Sequence, residues 1–200
     1  MKYNIIYADP PWTYRDKCNA GERGACHKYD VMSIDDICDL NVPAISDDNS
    51  VLFLWATWPL LQEALYVMLK WGFAYKTIGF VWVKTTKKAH EKLWSASFYE
   101  WLNRLTFMGM GNWSRSNSEP CLMGIRGKPK RASASVKSTI IAPIGEHSAK
   151  PPETRDRIVQ LCGDLPRAEL FARDKTLGWD VWGNEIESDL MLTKTMGCKL

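Results

Sequence analysis

Residues Val51 to Val83 read VLFLWATWPLLQEALYVMLKWGFAYKTIGFVWV, and three segments within them ask for three different structures. VLFLWA (Val51 to Ala56) is an unbroken apolar run, the pattern of a strand covered on both faces. Thr57 is placed to cap a helix, with Pro59 tolerated in its first turn. Leu61, Leu65, Met68 and Leu69 then recur at helical spacing, and Gly72 supplies the stop. Tyr75 to Val83 (YKTIGFVWV) returns to strand character. Strand, helix, strand at this spacing is a βαβ unit, whose crossover implies parallel strands. The expected fold class is therefore α/β, with a mostly parallel sheet flanked by helices.

The same pattern extends outward. Tyr3 to Ala8 (YNIIYA) is a short strand that must stop at Asp9-Pro10-Pro11, because two prolines cannot continue a ladder. Thr13 to Tyr29 mixes glycine, asparagine and charge without a period, so a long loop is expected. Ser33-Ile34-Asp35-Asp36 carries the signature of a helix start, and that helix is expected to run to about Leu40. Glu119 to Ile125 and Val136 to Ile141 read as strands, Glu153 to Leu161 as a helix closed by Gly163, and Arg167 to Phe171 as a last buried strand. Trp179 to Asn184 reads as a short strand or turn. The expected organisation is a single domain over residues 1–189, with a basic aromatic insert at about 84–113 and a loose tail at 190–200.

The composition is that of a globular chain: 200 residues, 46% hydrophobic and 24% charged. No apolar run approaches the ~20 residues that cross a bilayer as a helix, so no membrane partner is expected. Six cysteines form no C-x-x-C pair, and the chain opens on a charged residue and a strand rather than an apolar leader. Free thiols and a reducing cytoplasm are the expectation. Cys18, Cys26 and His27 lack the close pairing of zinc ligands, so no metal is expected. The formal charge of +3 hides a division: Lys84 to Lys137 holds eleven basic and three acidic residues, a net of +8, which leaves −5 elsewhere. A basic middle between acidic flanks points to a polyanion-binding face, although a merely solvated basic loop has the same composition. Ten tryptophans add flat rings, three of them (Trp94, Trp101, Trp113) inside that basic stretch.

In an open α/β sheet ligands sit beyond the carboxyl ends of the strands, which is where Asp9-Pro10-Pro11-Trp12 falls. A carboxylate there accepts one hydrogen of an amino group. The Pro10 carbonyl, without helix or sheet obligations, accepts another, and Trp12 offers a flat face to a ring. An amine on an aromatic ring is a poor nucleophile because its lone pair is delocalised. Two acceptors draw that nitrogen toward tetrahedral geometry, which is what methyl transfer to it requires. The same four residues also suit a plain turn after a strand.

These residues resemble the catalytic motif of amino-group methyltransferases that use S-adenosylmethionine. The block Gly109-Met110-Gly111-Asn112-Trp113-Ser114-Arg115, followed by Glu119 to Gly124 (EPCLMG) and Arg126-Gly127-Lys128-Pro129, is similar to the central signature of the MT-A-like adenine-N6 methyltransferases. So are His147 to Pro151 (HSAKP), Glu169 to Arg173 (ELFAR) and Trp182-Gly183-Asn184-Glu185. Catalytic motif first and cofactor motif last is the permuted, beta-class order of that family, and the wording is nearest to its phage and bacterial members. The resemblance implies a Rossmann-like methyltransferase fold and S-adenosylmethionine as cofactor. It implies that Asp9, Pro10, Pro11 and Trp12 form the catalytic motif, with Asp9 also near the cofactor. Lys150, Glu169, Phe171, Arg173, Asn184 and Glu185 would bind the cofactor. A carboxylate inside an apolar strand needs a partner, which for Glu169 would be ribose hydroxyls or Arg173.

The substrate implied is adenine in DNA, flipped from a duplex or already unpaired. The expected nucleic-acid face comprises Lys84, Lys87, Lys88, Lys92, Arg104, Trp113 and Arg115, cations for phosphate and a ring for a base. The segment from Thr85 to Phe107, longer than the family pattern, is where substrate preference would be set. RNA as substrate, an inactive nucleic-acid-binding relative, and a methyltransferase for another amine are the alternatives. Oligomeric state is not legible.

Overall fold

The computed structural model describes residues 1–13, 31–86, 105–109, 113–145 and 149–195. In it Tyr3–Ala8 form strand β1, with Ile5, Ile6, Tyr7 and Ala8 all buried. Helix α1 (Ile34–Cys38) begins where the sequence places it: the Ser33 hydroxyl accepts from the Asp36 amide at 3.0 Å. It ends at Cys38, short of the expected Leu40, and a four-residue helix α2 (Val42–Ile45) follows. Ser33→Ala is expected to cost about 1 kcal/mol, read as a lower denaturant midpoint at unchanged slope.

Strand β2 spans Ser46–Trp55, five residues earlier than the apolar run. The early part is irregular. Tyr3 of β1 faces Ser46 while Ile5 faces Val51, so β2 carries extra residues there. Local bonds hold them: the Asn49 amide donates to Asp47 Oδ1 at 3.0 Å and the Ser50 hydroxyl to the Asp47 carbonyl at 2.8 Å. From Val51 on, β2 is buried as a two-faced strand should be.

Trp58–Leu60 make a 3₁₀ turn that absorbs Pro59, and helix α3 (Leu61–Lys70) starts after it. Thr57 lies in extended conformation and makes no side-chain cap. The face of α3 that is buried is Ala64, Val67 and Met68, whereas Leu69 is 68% exposed. The apolar stripe read from the sequence is thus rotated by about one position, because Trp71 just past the helix also packs inward and donates its indole N–H to the Ile37 carbonyl at 2.9 Å. Gly72 ends the turn at φ +79°, as expected.

The remaining elements are β3 (Ala74–Thr85), β4 (Ser118–Arg126), β5 (Thr139–Pro143), helix α4 (Glu153–Cys162), β6 (Arg167–Leu170) and β7 (Asp180–Trp182). Seven strands pair in the order β5-β3-β4-β2-β1-β6-β7. β1 pairs parallel with β2 and β6, β6 with β7, and β3 with β5. β2 and β3, which bracket α3 in sequence, are not neighbours; β4 lies between them. The fold is α/β with a mostly parallel sheet. Phe171, expected as the end of β6, stands outside it in a left-handed conformation, φ +62°.

Two compact units divide these elements. One comprises the described residues of Met1–Thr77, Leu122–Lys130 and Asp164–Leu200, the other those of Ile78–Cys121 and Arg131–Gly163. The first contains β1, β2, β6 and β7 with α1 to α3, the second β5 and α4, and β3 and β4 run through both. In the second, Thr154, Ile158 and Cys162 recur every four residues and give α4 its buried face. The tail is not loose throughout. The Thr195 amide donates to the Asp39 carbonyl at 2.6 Å and Lys194 Nζ to Asp36 Oδ1 at 2.6 Å. Among the described residues no helix is long and apolar enough to cross a membrane.

Candidate active site

Strand β1 ends at Ala8, and Asp9-Pro10-Pro11-Trp12 emerges at the carboxyl end of a strand flanked by two parallel neighbours. The Trp12 amide donates to the Pro10 carbonyl at 2.9 Å, a three-residue turn about Pro11 that the fixed φ of proline favours. The Pro10 carbonyl is therefore not without obligations, as the sequence alone implied. One of its two lone pairs is committed and one is left. The Met32 amide holds the Pro11 carbonyl at 3.0 Å. Trp12 is buried, at 6% exposure, and its indole N–H donates to the Trp55 carbonyl at 3.0 Å. Its ring is a pinned wall rather than an open platform. Trp55 continues downward, its own indole N–H donating to the Tyr7 hydroxyl at 2.7 Å, and the Tyr7 ring meets Trp179 at 5.8 Å. The residues around Asp9 in sequence, Tyr7 and Trp12, are thus both tied into a buried, hydrogen-bonded aromatic network. At the end of β2 the Thr57 hydroxyl is buried without a hydrogen-bond partner among the described residues, a cost that a bound ligand would offset.

Beside β1, the ends of β6 and β7 form a second corner of the same unit. Glu169 on β6 is buried at 6% exposure and is the register partner of Tyr7, so both side chains share one face. After β6 the chain turns at Phe171, whose ring meets Trp182 edge-on at 5.3 Å. A left-handed aromatic residue is uncommon and costs energy, the kind of strain found at ligand sites. The Ala172 amide donates to the Trp182 carbonyl at 3.0 Å, and Gly183 lies so close that a Cβ would meet the Ala172 carbonyl oxygen at 2.1 Å. Arg173 Nε stands 3.9 Å from Glu185 Oε1, and Asn184 and Glu185 are exposed beyond β7.

In the second unit, Lys84, Glu119 and Lys150 form one cluster. Lys84 Nζ is 2.5 Å from Glu119 Oε1, and Lys150 Nζ is 3.5 Å from Oε2. Burial works against the Glu119 carboxylate, but Lys150 and Lys84 together outweigh it and hold its pKa below the ordinary value. A carboxyl depressed in the folded state adds stability above its unfolded pKa, and that stability is lost as pH falls through the folded value. Glu119→Gln is accordingly expected to flatten the acid limb of the stability curve below about pH 4, measured by urea melts across pH.

The structure places Asp9, Pro10, Pro11, Trp12, Glu169, Phe171, Arg173, Asn184 and Glu185 in the first unit, at the ends of β1, β6 and β7. Trp113 is fully exposed and Arg115 is exposed nearby in sequence. Lys84 is drawn inward to Glu119. Lys87, Lys88, Lys92, Arg104, Trp94, Trp101, His147, Cys18, Cys26 and His27 lie outside the described residues. Among the described residues no group of His, Cys, Asp and Glu is arranged to hold a metal. Cys38, Cys121 and Cys162 are free thiols, and burial pushes Cys38 and Cys162 up to about 11, which keeps them unreactive. Sequence reasoning missed Glu119, Thr57 and the packing role of Gly183. The signal for Glu119 was present: one acid opening an apolar strand within a basic stretch.

The fold is that of the Rossmann-like methyltransferases. The MT-A70 family model matches residues 3–185, and the chain belongs to that family. It is 31% identical over 214 residues to the type II methyltransferase M.MunI of a Mycoplasma species, covering 98% of this chain and 83% of that protein. It is 29% identical over 189 residues to a putative N(6)-adenosine-methyltransferase MT-A70-like protein of Medicago truncatula. It is 26% identical over 190 residues to the N(6)-adenosine-methyltransferase catalytic subunit METTL3 of Homo sapiens. These last two alignments cover 92% and 93% of this chain but only 26% and 28% of the plant and human proteins.

Proposed function

We propose that this chain transfers a methyl group from S-adenosylmethionine to the N6 amine of adenine in DNA. The observation that carries the reading is Asp9-Pro10-Pro11-Trp12, fixed by backbone and indole hydrogen bonds at the carboxyl end of an inner parallel strand. Asp9 accepts one hydrogen of the amine, and the remaining lone pair of the Pro10 carbonyl accepts the other. Both acceptors sit on backbone that does not need to reorganise, which is where electrostatic catalysis gains most. When bound, S-adenosylmethionine supplies the electrophilic methyl group. The residues at the ends of β6 and β7 suit it. A buried carboxylate (Glu169) matches ribose hydroxyls, and the Phe171–Gly183 corner brings two backbones close enough to line a flat ligand. Asn184 and Glu185 offer polar contacts to its adenosine end. Lys150 keeps the cofactor role that the resemblance implies.

Lys87, Lys88, Lys92, Arg104 and Arg115, with the exposed ring of Trp113, are the proposed contacts to nucleic acid. DNA is favoured over RNA because the relative matched over nearly its whole length is a type II methyltransferase, whereas the adenosine methyltransferases are matched over about a quarter. Reaching N6 requires a flipped or unpaired adenine, so the target is expected to be best methylated when single-stranded or mismatched. The reading is tested with methyl-labelled S-adenosylmethionine and separate pools of single- and double-stranded DNA and RNA, followed by identification of the modified base. N6-methyladenine in the DNA pools is the expected product. Label confined to RNA would replace the substrate, and no label in any pool would leave a nucleic-acid-binding relative without activity.

A further inference from the structure

We propose that Thr193 to Thr195 are positioning residues for the reaction: they hold the C-terminal end of α1, and α1 in turn holds the backbone of Asp9-Pro10-Pro11-Trp12. This rests on the methyltransferase reading above. Every residue involved lies in the first unit. At the catalytic end, Met32 pairs with Trp12 in a parallel bridge. Its amide donates to the Pro11 carbonyl at 3.0 Å, and its carbonyl accepts from the Thr13 hydroxyl at 2.6 Å. Ser33 follows directly as the N-cap of α1, and its carbonyl accepts from the Ile37 amide at 3.1 Å. Met32 is therefore bound on one side to the catalytic turn and on the other to the first residue of the helix frame.

That frame does not hold itself. α1 has five residues, far below the ~12–15 at which an isolated helix becomes even marginal. Its middle is anchored by the buried side chain of Ile37, whose carbonyl accepts from the Trp71 indole. The carbonyls at its end need partners from elsewhere. Thr195 supplies two to the Asp39 carbonyl, its amide at 2.6 Å and its hydroxyl at 3.0 Å. The Thr193 carbonyl accepts from the Asn41 amide at 2.8 Å, and Lys194 bridges Leu40 in antiparallel sense. Lys194 also reaches Asp36 Oδ1 at 2.6 Å, but both side chains are half exposed, so the backbone bonds are the stronger part. One hydrogen-bonded path thus runs from Thr195 through Asp39 and α1 to Met32 and Pro11. A reaction that depends on two acceptors carried by fixed backbone is sensitive to small displacements along it.

Thr195→Pro in the full chain is the test, because it removes the amide and the hydroxyl donor together. It suits the bridge at Lys194, since the residue before a proline favours extended backbone. Two readouts are taken. Hydrogen exchange followed by NMR is expected to show the Met32 amide opening about tenfold faster, while the Ala172 amide, bonded to the Trp182 carbonyl at the end of β6, keeps its rate. Methyl transfer to an adenine-containing oligonucleotide is expected to fall about tenfold in kcat, with KM for S-adenosylmethionine within about twofold of the unaltered protein. Thr195→Ser keeps both donors and should restore both readouts, and Lys194→Met should change either by less than about threefold. If Thr195→Pro does not fold, Thr195→Val, which loses only the hydroxyl, should move both readouts in the same direction by a smaller factor. An unchanged Met32 rate would overturn the proposal, as would equal acceleration at Met32 and Ala172, which would mean that these residues only add to global stability. A faster Met32 amide with undiminished kcat would also overturn it, because the helix frame would then not govern the catalytic turn. Absence of transfer by the unaltered protein is a separate result: it would remove the methyltransferase reading, and the catalytic role of these residues with it, whatever the exchange rates show.

Discussion

Asp9→Ala is expected to lower kcat by about 10²–10³-fold while leaving the fold intact. The size follows from the chemistry. The lone pair of an exocyclic adenine amine is shared with its ring, and the enzyme must localise it at the moment of attack. Of two acceptors available for that task, Asp9 is the charged one, so its removal withdraws the stronger half of the polarisation. The effect should fall on kcat more than on KM, because the interaction strengthens as charge develops on the nitrogen. Stability should change by less than about 1 kcal/mol, since Asp9 is only half-buried and lies beyond the last residue of β1. Asp9→Asn separates charge from shape: it keeps an acceptor oxygen and the volume, and is expected to fall between wild type and alanine. Single-turnover transfer to an adenine-containing oligonucleotide, with circular dichroism as the check on folding, measures all three. Wild-type turnover by the alanine variant would remove Asp9 from the mechanism.

Much of the fold was legible because burial leaves a strong trace. Val51–Trp55 and Tyr3–Ala8 read as apolar runs and are buried strands. Gly72 and Gly163 mark the ends of α3 and α4 at positive φ, where glycine is the natural residue. What escaped depends on contacts distant in sequence. Ser46 to Ser50 lie outside the apolar run and join β2 through a bulge. The buried face of α3 is Ala64, Val67 and Met68, with Trp71 also taking an inner position, and a helical wheel cannot rank an alanine above a leucine. β4 interposes between β2 and β3, which no local pattern announces.

The site divides along the same line. Asp9-Pro10-Pro11-Trp12 could be found from a strand followed by two prolines. Its hydrogen bonds could not, so the Pro10 carbonyl looked free and the Trp12 face looked open. Glu169 stood out as a carboxylate in an apolar strand, and its burial agrees. Lys84 was grouped with the basic stretch because charge counting sees sign but not direction. Its partner is 35 residues away at Glu119.

Gly183→Ala is expected to damage the proposed cofactor corner as much as Asp9→Ala damages turnover. An added Cβ would meet the Ala172 carbonyl oxygen at 2.1 Å, with the Ala172 carbon and nitrogen each at 3.1 Å. These are backbone atoms, so no rotamer change relieves the contact. The two backbones would have to separate, at the cost of the Ala172 amide bond to the Trp182 carbonyl. The segment next to it already carries strain: Phe171 sits at φ +62°, which costs an L-residue roughly 1–2 kcal/mol. Opening the corner draws the Phe171 ring from Trp182 without releasing the left-handed turn, so the geometry at the end of β6 is lost while the strain remains. The expected outcome is a loss of about 2–3 kcal/mol in stability, and a rise of about 100-fold in the Kd for S-adenosylhomocysteine. Gly145→Ala is the control, because its Cβ would lie at an ordinary 3.4 Å from Ala149 and should be tolerated. Phe171→Gly in the Gly183→Ala background separates strain from binding. It should recover part of the stability, since glycine accepts the left-handed conformation, yet none of the affinity, since the aromatic edge against Trp182 is gone. Recovery of both would mean that the corner only folds the chain and holds no ligand.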